Sequence, residues 1–157
     1  MLFQTHLLAG LVAGRLSGYP TLWVFAGAAL PDLIDKPLGR LGVFDLYHTI
    51  GHSALFAVVL VPIALVWRHG VAVVAGWGLH LVMDAVHIVI NGRLGDTVFL
   101  AWPILLPKLP IAIPPGSFFF YYLGTRSFYI EVVFWLLVLG TLARRWWRGE
   151  PLVELVS

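Results

Sequence analysis

The sequence predicts an all-α protein: a polytopic membrane helical bundle built from an N-terminal short-helix hairpin plus three transmembrane helices. Three observations carry this expectation. Of the 157 residues, 60% are hydrophobic, against roughly 45–50% in soluble domains, and the mean hydropathy is +0.91. Only 11% are charged, and these gather in short clusters between long uncharged runs instead of spreading over amphipathic faces. Backbone groups inside a bilayer must be satisfied internally, so each crossing is expected to be helical. The length fits a single integral membrane domain over residues 1–157.

Composition also excludes several function classes. Cysteine is absent, which removes disulfides, thiolate metal sites and cysteine nucleophiles and leaves imidazole and carboxylate as the available chemistry. The net charge is +2 and the isoelectric point about 9.2. The arginines nevertheless end apolar runs and form no basic stripe, so the expected partner is the lipid bilayer and not nucleic acid. The first cation is Arg15, so the N-terminus has no positive region before its apolar stretch and no cleaved signal peptide is expected.

Residues 3–17 read as a short helix in which Gly10 and Gly14 have the spacing that lets a second helix approach closely. Gly18, Tyr19 and Pro20 break it, and residues 21–30 make a second apolar segment that ends at Pro31. At ~1.5 Å per residue neither piece covers a hydrocarbon core of ~30 Å, which leaves a hairpin dipping into the membrane or one broken span. Residues 31–48, with prolines, glycines and five charges, read as a loop. A span over 49–67, kinked at Pro62, a turn at 68–70 and a returning span over 71–90 follow. Residues 91–126 form a long connection along the interface. The last span, 127–143, ends in Arg144, Arg145, Trp146, Trp147 and Arg148, an aromatic and cationic anchor that places the C-terminus in the cytoplasm. Lys36, Arg40, Arg93, Lys108 and Arg126 fall on the other side, so the density of the terminal cluster decides the orientation, not the raw count.

Ionisable groups within membrane segments are costly and by default mark function. His48 and His52 are four residues apart, and His80, Asp84 and His87 recur at four and three, so each set lines one helical face. Counted outward from Arg68, His52 and Asp84 are both sixteen residues away, while His48 and His87 are twenty and nineteen. Antiparallel spans therefore bring them to matching depths, roughly 24–30 Å from the turn, with His80 deeper at ~18 Å. In the first two segments His6 and Asp32 each lie thirteen residues from Tyr19. A hairpin there delivers His6, Asp32 and Asp35 to the same face, whereas a broken span separates His6 from Asp32 by roughly 39 Å.

The candidate metal ligands are thus His6, Asp32, Asp35, His48, His52, His80, Asp84 and His87. Imidazole and carboxylate without thiolate suit a divalent metal, zinc first and manganese or iron as alternatives. So many ligands exceed one tetrahedral site, and a two-ion centre would use them to activate a water and clamp the oxygens of a phosphoester. Asp35 and Asp84 are the candidate catalytic carboxylates, as bridging ligand or as base toward that water. Glu131 stands as a site member or a partner for Arg126. The seven tryptophans fit an interfacial belt.

Thr5 and His6 with Gly10, the run from Gly27 to Asp32, His52 and Ser53, His80 and Leu81 with Asp84, and Trp102 with Pro103 come in an order that resembles the membrane-bound metal-dependent hydrolases of bacteria and archaea. The resemblance covers most of the chain. It implies a helical, multi-pass protein of the cytoplasmic (inner) membrane with a metal site and hydrolase activity, and the interfacial depth of the ligand cluster points to a lipid head group or lipid-linked phosphoester as the substrate. Two departures stand out. Asp32 and Asp35 are one residue further apart than the family's usual pair, and Thr49 follows His48 where an arginine is more common.

Other functions compete for these residues. The same His and Asp groups suit metal-ion or proton transport. Paired histidines also ligate haem, and polar side chains also serve as packing glue between helices.

Overall fold

The structure is a computed structural model, and it describes residues 1–106 and 113–150. Lys108 and the expected tail from 151 onward lie outside the described residues. Among those described, every regular element is helical. The hairpin is formed: α1 (Phe3–Ser17) and α2 (Thr21–Arg40) are joined by a tight turn in which Gly18 takes φ +74°, a left-handed value that glycine adopts at little cost. Gly10 and Gly14 face α2 so closely that an added Cβ would fall 2.8 Å from Ala28 Cβ and 2.7 Å from Thr21 Cα. The broken-span alternative is thereby excluded.

The structure corrects two expected boundaries. Pro31 does not end the second segment. Instead α2 runs through Pro31 and Pro37 to Arg40, so most of the expected loop over 31–48 is helix. Each interior proline removes one helical hydrogen bond, and the close seat of α2 on α4 (Gly70–Ile90) offsets that loss. The two helices run parallel, and Gly27 and Gly76 make the seat possible. A Cβ at Gly27 would lie 2.0 Å from Val73 O, and one at Gly76 would lie 2.0 Å from Val24 O.

The expected span over 49–67 is the second correction. Residues 49–53 are turns, Ala54–Phe56 is a 3-10 turn, and α3 covers only Ala57–Val66. Ten residues reach ~15 Å, about half a hydrocarbon core. The reason lies in Asp35, which draws the backbone N–H groups of Thr49, Gly51 and His52 to its carboxylate and so takes them out of any helix. Among the described residues two helices, not three, are long and apolar enough to cross a membrane: α4 and α6 (Arg126–Trp147). The connection between them carries a 3-10 stretch, Leu94–Ala101, and a short helix α5, Pro115–Tyr122.

Both tight turns lie at one end of the bundle, where Trp23 stacks on His69 with ring centroids 5.2 Å apart and meets Trp67 edge-on at 4.7 Å. The apolar cluster of Leu60, Trp77, Leu81 and Phe99 packs α3, α4 and the Leu94–Ala101 stretch together. The C-terminal ends of α2 and α4 and the N-terminal end of α1 meet at the opposite end of the molecule.

Candidate metal centre

At that opposite end, six side chains from four parts of the chain converge: His6 from α1, Asp32 from α2, His48 and His52 from the turns before α3, and His80 and Asp84 from α4. They form three overlapping groups whose ligand atoms lie within 4.8 Å of one another: His6, His80 and Asp84; Asp32, His52 and His80; His48, His52 and Asp84. All but His48 are buried. Such groups can hold a metal ion.

Two imidazoles sit at the centre of the arrangement. His80 Nδ1 lies 2.6 Å from Ala28 O, an acceptor only, so Nδ1 carries the proton and donates it. His52 Nδ1 is tied in the same way to Asp35 Oδ2 at 2.7 Å. Each ring therefore presents its Nε2 inward, and the two Nε2 atoms lie 3.2 Å apart. Two imidazole lone pairs repel at that distance unless a proton or a metal cation lies between them. Bonds of ~2.0–2.1 Å to a tetrahedral ion put neighbouring ligand nitrogens roughly 3.3–3.4 Å apart. The remaining separations are of the same size: His52 Nε2 to Asp32 Oδ1 3.3 Å, His80 Nε2 to Asp84 Oδ2 3.4 Å, and His6 Nε2 to Asp84 Oδ1 3.1 Å.

His6 supplies an independent sign. Its ring is 1% exposed and stacks on His80 at 3.7 Å. Although Nε2 is close to Asp84, neither ring nitrogen makes a hydrogen bond. Buried polar atoms are rarely left so, and a metal is one partner that would satisfy this nitrogen. Asp84 is shared most widely. Its Oδ2 lies 3.6 Å from both His48 and His52, and its Oδ1 faces His6 and the N-terminal ammonium of Met1 at 2.9 Å.

Asp35 is placed differently from the expectation that it ligates or acts as base. Fully buried, it spends both oxygens on the three backbone N–H groups and on His52 Nδ1, which leaves it orienting His52 from behind. Burial alone would raise the Asp35 pKa, but His52 and the backbone donors outweigh it and hold the carboxyl below its ordinary value. Burial alone would lower the pKa of His52, but its bonds to Asp32 and Asp35 outweigh that and raise it. His87 also falls outside the three groups. Its Nδ1 meets the Met1 ammonium, and its ring lies against Tyr122 at 5.0 Å.

Two residues enter the surroundings that no spacing announced. Glu131, 2% exposed, accepts from Leu2 N at 2.9 Å. Trp77 Nε1 donates to Gly51 O at 2.9 Å and so holds the histidine-bearing turn on α4. An acid inside an apolar run was the visible signal for Glu131, whereas nothing in the sequence distinguishes Trp77 from the other six tryptophans. The chain matches no family model, no curated protein and no solved structure.

Proposed function

We propose that the protein is a metal-dependent hydrolase of a multi-pass membrane protein class, acting at the membrane surface on a lipid head group or lipid-linked phosphoester. The observation that carries the reading is the facing pair of Nε2 atoms on His52 and His80, each ring locked on its far side by an acceptor, Asp35 Oδ2 or Ala28 O. Metal-ligating histidines are habitually fixed in this manner. The donor set of nitrogen and oxygen suits zinc, with manganese or iron as alternatives.

Within this reading His6, Asp32, His48, His52, His80 and Asp84 hold one or two ions. Asp84, with histidine nitrogens facing both of its oxygens, belongs to two of the three groups and would be shared if two ions were held. A divalent metal held there would supply the Lewis acidity that activates a water toward the ester. Asp35 fixes the His52 tautomer and orientation, and the Ala28 carbonyl does the same for His80. The α4 and α6 helices anchor the centre in the bilayer, and the terminal arginine cluster faces the cytoplasm.

The test is elemental analysis of gently purified protein together with turnover of a soluble phosphodiester, bis(p-nitrophenyl) phosphate, in the native chain and in His52→Ala and Asp84→Ala. Bound metal in the native protein, lost together with turnover in both variants, is the expected result. Variants that keep metal and turnover refute the assignment. Ion flux in proteoliposomes without ester turnover replaces it with transport.

A further inference from the structure

A cavity of about 720 Å³ opens on the metal-ligand group, with Asp32, His48 and Asp84 on its wall. Three cations share that wall: Lys36, Arg93 and the N-terminal ammonium of Met1, which Asp84 holds at 2.9 Å. Much of the remainder is apolar, including Phe99, Phe118 and Trp135. Trp135 stands nine residues into α6, about 13 Å along its axis, so one side of the cavity runs beside a helix long and apolar enough to cross a bilayer.

The charges around this space depend on the ions. Asp32, Asp35 and Asp84 bring three carboxylates to the centre, and Lys36 is drawn to one of them, its Nζ 3.2 Å from Asp32 Oδ1. Without ions each cation of the wall is spent on a carboxylate, Lys36 on Asp32, the Met1 ammonium on Asp84 and Arg93 on Asp96, so no net positive charge is left for an anion. One or two dications held by Asp32 and Asp84 would make the balance positive. Lys36 Nζ, now facing a carboxylate committed to metal, keeps a full charge directed at the cavity. Arg93 is held in place by Asp96, whose Oδ2 accepts from Nε at 2.6 Å, and its guanidinium has donors beyond that contact.

We propose that the cavity binds an anionic amphiphile, a phosphate-type head group on an alkyl chain, with Lys36 and Arg93 gripping the head group and the aromatic wall taking the chain. Binding is ordered: the metal enters first and the anion second. The inference rests on the metal-dependent reading above and names the substrate's charge, its form and two residues that select it.

The experiment is calorimetric titration of decyl phosphate into the purified full chain in an uncharged detergent, with and without Zn²⁺, beside inorganic phosphate and decanol as separate ligands. Saturable decyl phosphate binding that requires Zn²⁺ is expected, with inorganic phosphate and decanol each far weaker. Lys36→Gln and Arg93→Gln should each weaken it by roughly tenfold while bound zinc is retained. Arg93 pairs with Asp96 and with no ligand residue of the three groups among the described residues, so Arg93→Gln carries the test if Lys36→Gln fails to fold. Binding that is equal without Zn²⁺, equal for decanol, equal for inorganic phosphate, or unchanged in Arg93→Gln overturns the proposal. Zinc content and turnover of bis(p-nitrophenyl) phosphate separate the two readings. If both persist while decyl phosphate binding fails any of these criteria, the amphiphile proposal alone falls. If the native chain takes up no zinc, the hydrolase reading falls with it.

Discussion

The helices α4 and α6 have nearly the same length and both pass for membrane spans, yet they have opposite relations to the rest of the molecule. A third of the most apolar stretch of α4 is buried inside the protein, 33% against 11% for α6. On α4 six of the eight buried positions are small or ionisable, Gly70, Ala72, Gly76, His80, Asp84 and His87, and only Trp77 and Leu81 are large and apolar. On α6 they are Ser127 and Glu131 alone, while Ile130, Val133, Leu136, Leu137 and Leu139 are exposed. Hydrophobicity therefore says which segments suit a bilayer, and small residues with buried polar groups say which one organises the bundle. Lipid is as apolar as leucine, so helices associate through close backbone packing and polar contacts and not through greasy side chains.

The same substitution on each helix should break the symmetry most sharply. In Gly76→Ala the new Cβ would fall 2.0 Å from Val24 O, a backbone atom, and about 3 kcal/mol of destabilisation is expected from the forced separation of α2 and α4. Gly140→Ala on α6 meets open space and should stabilise by up to about 1 kcal/mol through helix propensity. Thermal unfolding of both variants in one detergent gives the comparison, and a Gly76→Ala chain as stable as the native one would refute the packing account.

Asp35→Asn acts on the organising side without removing an inward-facing donor. The amide still fills the space but cannot hold His52 as a carboxylate does, and metal affinity should fall by roughly 10- to 100-fold. Competition with a chromophoric chelator reads this directly. An unaltered affinity would mean that His52 needs no such support.

The pH dependence sharpens the same point. Because Asp32 and Asp35 raise the pKa of His52, its proton competes with the ion at higher pH than a free imidazole would allow. Metal affinity should fall by about tenfold per pH unit below that raised pKa, and in Asp35→Asn the fall should begin at lower pH. Parallel profiles in the two proteins would argue against the carboxylate as the cause.

The smallest effect belongs to α6. Leu137, 67% exposed within the protein, should tolerate Leu137→Ala within about 0.5 kcal/mol of stability and leave metal content untouched. A large loss would reveal a partner surface on that face.

Much of the centre was legible because matched distances along antiparallel segments survive errors in local structure. His6, Asp32, His48, His52 and Asp84 come together as the counting from Tyr19 and Arg68 anticipates, even though residues 49–53 are turns and not the helix that the count assumed; His80, which the count set deeper, joins them, and His87, which it set level with His48, does not. The reading went astray where one side chain overrides local propensity. Pro31 and Pro37 look like helix ends until the packing on α4 is seen, and Asp35 looks like a ligand until its oxygens are found on Thr49, Gly51 and His52.

By itself the sequence determined an apolar, helical chain, a break at Gly18, Tyr19 and Pro20, and a reserve of imidazoles and carboxylates at recurring spacings, because composition and residue spacing are properties of the chain alone. Only the tertiary structure decided which carboxylate faces inward and which stands behind a histidine. It also decided that α3 is too short to span. Both outcomes depend on where backbone N–H groups find acceptors, and those acceptors lie on parts of the chain that spacing cannot pair.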